Sequence, residues 1–550
     1  MRNSSHCFST LLSIFLPKID KPQEENVNEW GNKLSRRGAI QLLLGSGVAT
    51  IAAGAIDSSA LAATAASKPA VAKVANGYQD GFTRERPENV GINPQSILDF
   101  LADLERSNLE LDSFMLYRDG AVVAEGWWWP YRPDLIHMMH SLTKSVTVGA
   151  IGMALAAGKF KLTDKVVSFY PDELPAQVSD NLAAMTIEDL LTMKTGHDSE
   201  TSGSKWRSIK TSWVAEFYKI PVVYKPGTQW VYTSAATYML SAIFSRTMGM
   251  SVYEHLKPTF FDPLDIHGEE WFTGPQDITP GANGLSWHTA DCLKLGVLYL
   301  QGGKWKGKQI LPPEWTEECH KPHTPGRYGY QWWLDPNNAF SARGLFGQLS
   351  FVWPDQKAVL ACTSAVKASA AVAEVVHRHF PAAFQNRVSL NPRALAALTA
   401  KQKNLRLLEP LKPSEAPPAT QISGRTYYCD KNEDAVSQIR LDIRDNVCLF
   451  HLRDDRGDHK VKCGLGEWIE SFTTITGAKL HHGYEADMMR VVAGGSWKDR
   501  NTLELTWQFA ESVFRDTVVC RFDRKSMTFD RRVNVNSSAL ARPTIRGTQG

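Results

Sequence analysis

The amino-acid sequence predicts two folded units, a mixed α/β domain followed by an all-β domain. At 550 residues the chain is longer than a single hydrophobic core usually extends. Segments with the apolar spacing of helices alternate with short apolar strands as far as about residue 404. A proline-rich linker follows, and beyond it apolar and polar residues alternate, as they do in half-buried strands. The prolines of the linker are Pro410, Pro413, Pro417 and Pro418.

The domain boundaries are predicted from these changes of composition. We expect the α/β domain at residues 80–404, the linker at 405–420 and the β domain at 421–540. Residues 1–62 form a separate segment that has the composition of an export signal.

The segment at residues 1–62 resembles a twin-arginine-type signal. Arg36 and Arg37 precede a mildly apolar stretch at residues 40–56, and residues 60–62, Ala-Leu-Ala, offer a small-residue cleavage site. The glycines and hydroxyl residues of the stretch make it too polar for a membrane anchor. We therefore expect export by the bacterial twin-arginine pathway, to the periplasm or the medium, and no membrane span in the mature chain.

The composition argues against several classes of function. The formal net charge is +3 and charged residues make up 22% of the chain, so no nucleic-acid-binding surface is expected. Of the eight cysteines, Cys7 lies in the signal segment and the other seven are widely scattered. The sequence contains no Cys-x-x-Cys or His-Glu-x-x-His motif, so we expect no metal and no cofactor.

The α/β domain is predicted to begin with a helix and a hairpin. Apolar residues at 97, 100, 101 and 104 have helical spacing, which predicts an amphipathic helix over residues 93–107. Asp119 and Gly120 then separate two apolar runs, at residues 113–117 and 121–124. An Asp-Gly pair in this position is typical of a β-hairpin turn.

Ser141 and Lys144 form the first candidate catalytic motif. A serine hydroxyl is a poor nucleophile until a neighbouring base accepts its proton. Positions i and i+3 share one face of a helix, so Lys144 lies beside Ser141 where a helix begins at the serine. Ser-x-x-Lys occurs three times, at Ser141, Ser202 and Ser364, and only the first copy opens a long apolar helix, which Gly158 ends.

The later elements of this domain are predicted in the same way. Thr186 to Asp189 resembles a capping box that starts a helix running to Lys194 and ending at Gly196. Further helices are expected at residues 235–247, from a cap at 284–291 to Leu300, and at 370–379, with strand regions at 328–333, 344–348 and 358–362.

The β domain is predicted from a period of two in the apolar residues. Leu503, Leu505, Trp507 and Phe509 alternate with polar residues, and turn clusters such as residues 453–457 separate runs of this kind. The pattern predicts a small barrel or sandwich. We expect it to fold as its own unit and to make no catalytic contribution.

In full context the motifs resemble the serine β-lactamase-related superfamily, in the branch of class C β-lactamases, D-alanyl-D-alanine carboxypeptidases, family VIII esterases and 6-aminohexanoate-dimer hydrolases. The resemblance covers residues 81–384 and implies a β-lactamase/transpeptidase-like fold, an antiparallel sheet flanked by helices. The similar blocks occur in family order, at residues 140–145, 190–196, 226–232, 302–307 and 328–333.

The resemblance assigns roles to the first two motifs. Ser141 is implied to be the acylated nucleophile and Lys144 its proton acceptor. Tyr232 stands at the family's Tyr-x-Asn position, with Ser234 in place of the asparagine as a candidate substrate-binding residue. A phenol and an ammonium close together can share a proton, so either Lys144 or Tyr232 can be the base, and the sequence does not choose.

The third motif of the family is altered in this chain. Members usually carry Lys-Thr-Gly or His-x-Gly on a late strand. The Lys-Thr-Gly at residues 194–196 lies between the first two motifs, and we interpret it as the end of a helix. The late strand carries Ala342, Arg343 and Gly344 instead, and Ala342 faces the substrate in place of the usual cation because residue 343 points to the other face.

The resemblance also implies the oxyanion hole and the substrate strand. Gly344 and Leu345 are expected on that strand, with the oxyanion bound by the backbone N–H groups of Ser141 and of a residue near Leu345. His288 and Arg343 are further candidate substrate-binding residues, the arginine if a bulge turns it into the cleft. Other lone histidines near the motif, at 137 and 140, are more typical of structural roles.

These inferences predict an exported serine hydrolase that cleaves a small-molecule amide or ester through a serine acyl-enzyme. The missing cation favours the esterase and amidase branch over the β-lactamases. The alternative is a penicillin-binding or peptidoglycan-related sensor, a carboxypeptidase or a β-lactamase. Turnover separates an enzyme from a sensor, because a sensor stays acylated after one burst. The sequence predicts neither the substrate nor the oligomeric state.

Overall fold

The α/β domain is built on a six-stranded antiparallel sheet, seen in a computed structural model. The structure describes residues 78–324, 327–412, 422–477, 479–484 and 486–550. The predicted signal segment and residues 413–420 of the predicted linker lie outside the described residues.

The strands of this domain form one large sheet and two small ones. The large sheet has the order β2-β1-β11-β10-β9-β8, and every pairing in it is antiparallel. The strands are β1 (Leu111–Arg118), β2 (Ala121–Trp127), β3 (His137–Met138), β4 (Glu270–Trp271), β5 (Leu285–Trp287), β6 (Lys304–Trp305), β7 (Lys308–Gln309), β8 (Trp333–Asp335), β9 (Ala339–Gly344), β10 (Gln348–Trp353) and β11 (Ala358–Ser364).

Helices cover both faces of the large sheet, which confirms the predicted fold class for this domain. They are α1 (Pro94–Arg106), α2 (Thr143–Ala156), α3 (Asp180–Ala184), α4 (Ile187–Leu191), α5 (Trp213–Lys219), α6 (Ser234–Met248), α7 (Val252–Leu256), α8 (Thr289–Leu300), α9 (Pro313–Cys319), α10 (Ser369–His379) and α11 (Pro392–Lys403).

The two faces of the sheet belong to different cores because successive strand residues point to opposite sides. On β11, Leu360 and Cys362 pack with α1 and α10, whereas Val359 and Ala361 pack with the larger cluster that contains α2, α6 and α8. Gly296 of α8 sits so close to the sheet that a Cβ there would lie 2.5 Å from Val359 Cγ1. The large cluster therefore forms a continuous layer between the sheet and the helices that hold the first two motifs.

Most predicted elements of the domain are present, but the predicted strand regions at 328–333 and 344–348 are mainly the segment before β8 and the turn between β9 and β10. The hairpin turns at Asp119 and Gly120, whose φ values of 46° and 99° are those that a tight hairpin turn needs. The predicted length of one helix was wrong: α4 ends at Leu191 and not at Lys194. It ends early because Met193 takes a left-handed φ of 58°, which lets the Lys194 N–H close back onto Asp189 O.

The second domain is a ten-stranded β-barrel. Strand order runs from β15 through β14, β13, β12, β21, β20, β19 and β18 to β17 and β16, and a parallel pairing of β15 with β17 closes it. The strands are β12 (Thr426–Cys429), β13 (Gln438–Arg444), β14 (Val447–Asp454), β15 (Gly457–Leu465), β16 (Ile469–Thr473), β17 (Met489–Trp497), β18 (Thr502–Phe509), β19 (Arg515–Asp523), β20 (Ser526–Val533) and β21 (Ile545–Gln549). The last strand lies beyond the predicted boundary at residue 540.

The barrel and the α/β domain share part of a core. Phe346 follows β9 in the first domain, yet its side chain is 1% exposed and belongs to the apolar cluster of the barrel. Its ring centroid lies 6.0 Å from that of Phe514 in the barrel, and Met138 and Leu345 pack against the same cluster. The barrel, which was expected to fold as its own unit, therefore packs directly against the first domain through these residues.

In the part of the chain that the structure describes, no helix combines the length and the apolar character needed to cross a membrane.

The shared core predicts coupled unfolding of the two domains. Replacing Phe346 with alanine should cost about 3–5 kcal/mol, the usual range for a buried phenylalanine, and should split one calorimetric transition into two. Phe529→Ala is the matched control because Phe529 is 3% exposed and packs inside the barrel against Phe450. It should lower the transition temperature without splitting the transition. A single transition at the original temperature in Phe346→Ala would contradict the coupling.

Candidate active site

Ser141 lies in a sharp turn at the start of α2. The turn is a short 3₁₀ segment, His140–Leu142, that follows β3 and leads directly into the helix. His140 has a φ of 48°, a left-handed conformation that residues other than glycine rarely adopt. Backbone strain of this kind is concentrated at functional sites. The Ser141 side chain is only partly buried, so it remains open to a reactant.

Lys144 lies one turn further along α2 and points back to the serine. Its side chain is 1% exposed, and its Nζ lies 3.1 Å from Ser141 Oγ. The same nitrogen lies 3.2 Å from Ser234 Oγ and 3.1 Å from the backbone oxygen of Ala282. Ser141, Lys144 and Ser234 are therefore brought together around one nitrogen.

The three oxygens around Lys144 match the hydrogen-bonding capacity of an ammonium, which has three donors and no acceptor. They also suit a neutral amine that accepts the Ser141 proton and donates to Ser234 and Ala282. The Ala282 carbonyl can only accept a hydrogen bond, whereas the hydroxyls of Ser141 and Ser234 can donate or accept one. The geometry thus permits proton transfer between Ser141 and Lys144 in both directions.

Tyr232 approaches Lys144 with its ring rather than its hydroxyl. Lys144 Nζ lies 4.9 Å from the centroid of the Tyr232 ring, a cation–π distance. The ring stacks on Trp333 with a centroid distance of 5.7 Å and meets the edge of Tyr328 at 6.3 Å. Among the described residues the Tyr232 hydroxyl makes no hydrogen bond, so it is free to engage a reactant.

Gln331, within the aromatic block at residues 328–333, is a buried residue whose hydrogen bonds connect three helices. It has a φ of 60° and is 2% exposed, and its backbone oxygen accepts a hydrogen bond from Ser145 Oγ at 2.7 Å. Its side-chain oxygen accepts from Thr237 Oγ1 at 2.6 Å, while its amide nitrogen donates to Leu191 O at 2.8 Å. One buried residue, through its backbone oxygen and its side-chain amide, thus ties α2, α4 and α6 together behind the motif residues.

The end of β9 touches the nucleophile turn. A Cβ on Gly344 would lie 2.2 Å from the backbone oxygen of Met139, so only glycine allows this approach. Leu345 follows Gly344 directly, at the start of the turn into β10. The backbone of the late strand therefore lies against the turn that carries Ser141, where an oxyanion-binding pair requires it.

Ala342 and Arg343 point to opposite faces of β9. Ala342 is fully buried in the cluster that contains α2 and α6. Arg343 forms an ion pair with Asp335 and donates from Nε to Ser341 Oγ at 2.8 Å. His377 Nε2 lies 3.1 Å from the same carboxylate. Although burial opposes ionisation, the hydrogen bonds and charges of these partners lower the pKa of Asp335.

The three histidines near the motif have local partners. His288 caps α8, with Nδ1 2.9 Å from Asp291 Oδ2. His137 Nε2 lies 3.0 Å from Asp112 Oδ2. His140 is 2% exposed, and burial together with the charges of neighbouring His482 and Arg207 lowers its pKa well below the usual value. These contacts support structural roles, and His288 is not joined to the Ser141 group by any of them.

The barrel contributes residues that surround His140. Tyr484 from the segment between β16 and β17 places its hydroxyl 3.4 Å from His140 Nδ1. Arg207 lies over the Tyr484 ring, with Cζ 3.8 Å from the centroid, and donates to the backbone oxygen of His482. The Phe346 ring lies 5.2 Å from that of His140. Sequence reasoning missed these contacts because nothing in the barrel sequence signals a neighbour 340 residues away.

Glu200 is the other residue that the sequence analysis missed. It lies in the loop after α4, and its Oε1 accepts a hydrogen bond from the backbone N–H of Ser234 at 2.9 Å. A glutamate in a polar loop carries no sequence signal of its own. Among the described residues no cluster of His, Cys, Asp and Glu could hold a metal ion.

This arrangement is suited to acyl transfer. A partly exposed serine touches a buried amine, a phenol ring covers that amine, and the backbone of a strand end lies beside the serine.

The chain is similar to several known proteins. A 6-aminohexanoate-dimer hydrolase of Paenarthrobacter ureafaciens is 25% identical over 287 residues, covering 47% of this chain and 73% of the relative. The octameric penicillin-binding protein homologue from Pyrococcus abyssi is 13% identical, covers 82% of this chain and 99% of its own, and gives a TM-score of 0.45. A penicillin-binding protein homologue from Caulobacter crescentus is 16% identical, covers 52% and 97%, and gives 0.43.

The family described as Beta-lactamase matches residues 104–379, which is half of the chain. The match contains the Ser141 turn, α6 and the late strand β9. The chain therefore belongs to the β-lactamase family, and it is a serine hydrolase.

Proposed function

We propose that the protein is an exported hydrolase that cleaves a small-molecule amide or ester through an acyl-enzyme on Ser141. The observation that carries the proposal is the 3.1 Å contact between Ser141 Oγ and Lys144 Nζ in a partly open turn. The name of the relative from Paenarthrobacter ureafaciens, a 6-aminohexanoate-dimer hydrolase, agrees with a small amide as substrate. Export rests on the paired arginines at 36 and 37.

In the proposed reaction Ser141 Oγ attacks the acyl carbon as its proton moves to Lys144. The acyl–oxygen bond forms, the bond to the leaving group breaks, and the leaving group takes the proton. Water then releases the acyl group by the same steps in reverse. Tyr232 is the second candidate for carrying the proton, since its ring lies 4.9 Å from Lys144 Nζ.

The charges near the serine favour substrates without a carboxylate beside the scissile bond. Ala342 supplies no cation, and the Arg343 guanidinium is paired with Asp335 on the other face of β9. The contacts of Arg343 are those of a regular strand residue. They require no bulge of the kind that would turn its side chain toward the serine. We therefore propose an esterase or amidase rather than a β-lactamase or a carboxypeptidase.

Ser141→Ala should abolish covalent labelling by a fluorophosphonate and all ester hydrolysis, because no other group supplies the nucleophile. Intact-protein mass spectrometry measures the label, and an ester and amide panel measures turnover. Ser202→Ala, at a second Ser-x-x-Lys sequence, is the control and should label normally. Labelling that persists in Ser141→Ala would show that the wrong serine was chosen. A stable label without product release would identify a sensor.

Lys144→Ala and Tyr232→Phe should each lower kcat roughly a hundredfold or more, the usual effect of losing a positioned acid–base group. The double variant should lose far less than the product of the two, because both residues handle one proton. Tyr328→Phe is the control, since Tyr328 is buried beside the Tyr232 ring and should keep its rate. Strictly multiplicative losses would make Tyr232 a packing residue.

Penicillins and cephalosporins should be poor substrates beside short-chain esters. A charge-assisted hydrogen bond to the substrate carboxylate contributes on the order of 1.5–3 kcal/mol, so its absence costs roughly ten- to a hundredfold in kcat/KM. Purified protein should be assayed with nitrocefin and p-nitrophenyl butyrate side by side. Comparable kcat/KM values for the two would contradict the assignment to the esterase and amidase branch.

A further inference from the structure

Glu200 is connected to the reactive serine through Ser234 and Lys144. Its carboxylate accepts a hydrogen bond from the Ser234 backbone N–H at 2.9 Å, and the Ser234 hydroxyl is near enough to that carboxylate to help lower its pKa. Ser234 Oγ lies 3.2 Å from Lys144 Nζ, which in turn lies 3.1 Å from Ser141 Oγ. One hydroxyl, that of Ser234, and one amine, that of Lys144, thus connect Glu200 with the group that is acylated.

The loop that carries Glu200 is fixed at this place. Thr201 Oγ1 lies 2.6 Å from Thr233 Oγ1, next to the start of α6. Thr233 is the N-cap of α6 and makes no side-chain capping bond, so the Glu200 carboxylate supplies the cap from outside the helix. A helix cap requires only a hydrogen-bond acceptor. The negative charge of Glu200, and its connection through Ser234 to the buried amine of Lys144, go beyond what capping requires.

Lys144 needs a partner for its proton. In the ammonium form all of its N–H groups are used by Ser141, Ser234 and Ala282, and no lone pair is left to accept the Ser141 proton. Ala282 O cannot take a proton, and Ser141 is the group to be activated. Ser234 is the remaining exit, and beyond Ser234 lies the Glu200 carboxylate.

We propose that Glu200 is the terminal proton acceptor of a Ser141–Lys144–Ser234–Glu200 relay, an assignment that rests on the function proposed above. Lys144 gives one proton to Ser234 Oγ while Ser234 gives its own proton to Glu200. The pair changes from ammonium and carboxylate to amine and carboxylic acid, so the total charge is unchanged. Lys144 then accepts the Ser141 proton as the Oγ–acyl bond forms, and later gives it to the leaving group. The return of the proton from Glu200 through Ser234 restores the resting ions.

The surroundings of Glu200 suit this role. Burial of the carboxylate raises the pKa of Glu200, although the Lys144 ammonium and the hydrogen bonds from Ser234 oppose the rise. The other titratable groups near it are the buried phenol of Tyr328, whose pKa the Glu200 charge helps to raise, and Asp198 in its own loop. A carboxyl with a raised pKa holds a relayed proton more readily than an ordinary surface glutamate.

Glu200→Gln tests the relay because glutamine keeps an acceptor for the Ser234 N–H and loses only the proton-accepting charge. The melting temperature should stay near that of the native protein. At neutral pH, kcat/KM for p-nitrophenyl butyrate should fall roughly a hundredfold. The native rate falls at acid pH as Glu200 is protonated. In the variant Lys144 must lose its proton to solvent, so the acid limb should move to higher pH and the deficit should shrink as pH rises.

Two further variants complete the test. Ser234→Ala interrupts the relay with Glu200 in place and should move the acid limb in the same direction. Asp198→Asn removes a carboxylate two positions away, which accepts a hydrogen bond from Ser199 Oγ, and should leave the profile unchanged. An unchanged rate and acid limb in Glu200→Gln would reduce Glu200 to a helix cap. A deficit independent of pH, or an equal shift in Asp198→Asn, would also overturn the relay.

Activity of the native protein tests the proposed function, and the pH profile of Glu200→Gln tests the relay, so the two can fail separately. If the native protein neither labels at Ser141 nor hydrolyses any ester or amide, the proposed function itself is wrong. If the native protein is active and Glu200→Gln keeps its pH profile, only the relay is wrong.

Discussion

The buried amine of Lys144 is the constraint on which the arrangement of this site depends. An unpaired polar group in a protein interior costs several kcal/mol, so the fold must surround the nitrogen with acceptors. Those acceptors come from the turn before α2, from the start of α6 and from the segment around Ala282. That segment is held in turn by Thr147, which bonds to Gly281 O at 2.7 Å, and by Ser241, which bonds to Thr279 O. The requirement of one side chain thus fixes three chain segments relative to one another.

The charges available to a substrate near the serine depend on which charged side chains are already engaged with other protein groups. Arg343 lies next to the strand end that a substrate would meet. Its side chain, however, points to the far face of β9 and forms an ion pair with Asp335 there. Glu200 stands on the opposite side, where its carboxylate meets Ser234 and influences Lys144. The motif therefore balances the Glu200 carboxylate against Lys144, whose Nζ is already surrounded by three oxygens, and the described residues there include no further free cation. That balance distinguishes it from sites that recognise a substrate carboxylate through a lysine.

The barrel is part of the environment of the nucleophile. Phe346 lies in the turn after the late strand but fills the barrel core, and Tyr484 and His482 surround His140. A left-handed residue directly before Ser141 is strained and persists only where its neighbours hold it. The packing of the two domains supplies such neighbours. A change in the barrel can therefore reach Ser141 through packed rings without any residue of the barrel taking part in the chemistry.

Much of the local structure could be predicted from the sequence. Helical spacing, capping boxes and the Asp-Gly pair located α1, α8 and the first hairpin, and a period of two located the barrel strands. The Ser-x-x-Lys spacing at the start of a long apolar helix predicted that Lys144 lies beside Ser141, because positions three apart share a helix face. Tertiary structure decided everything that depends on distant residues: the cap that Glu200 gives to α6, the pairing of Arg343 with Asp335, and the contact of Tyr484 with His140. Such contacts leave no periodic trace in the chain, since burial and charge pairing across hundreds of residues are fixed only when the domains pack.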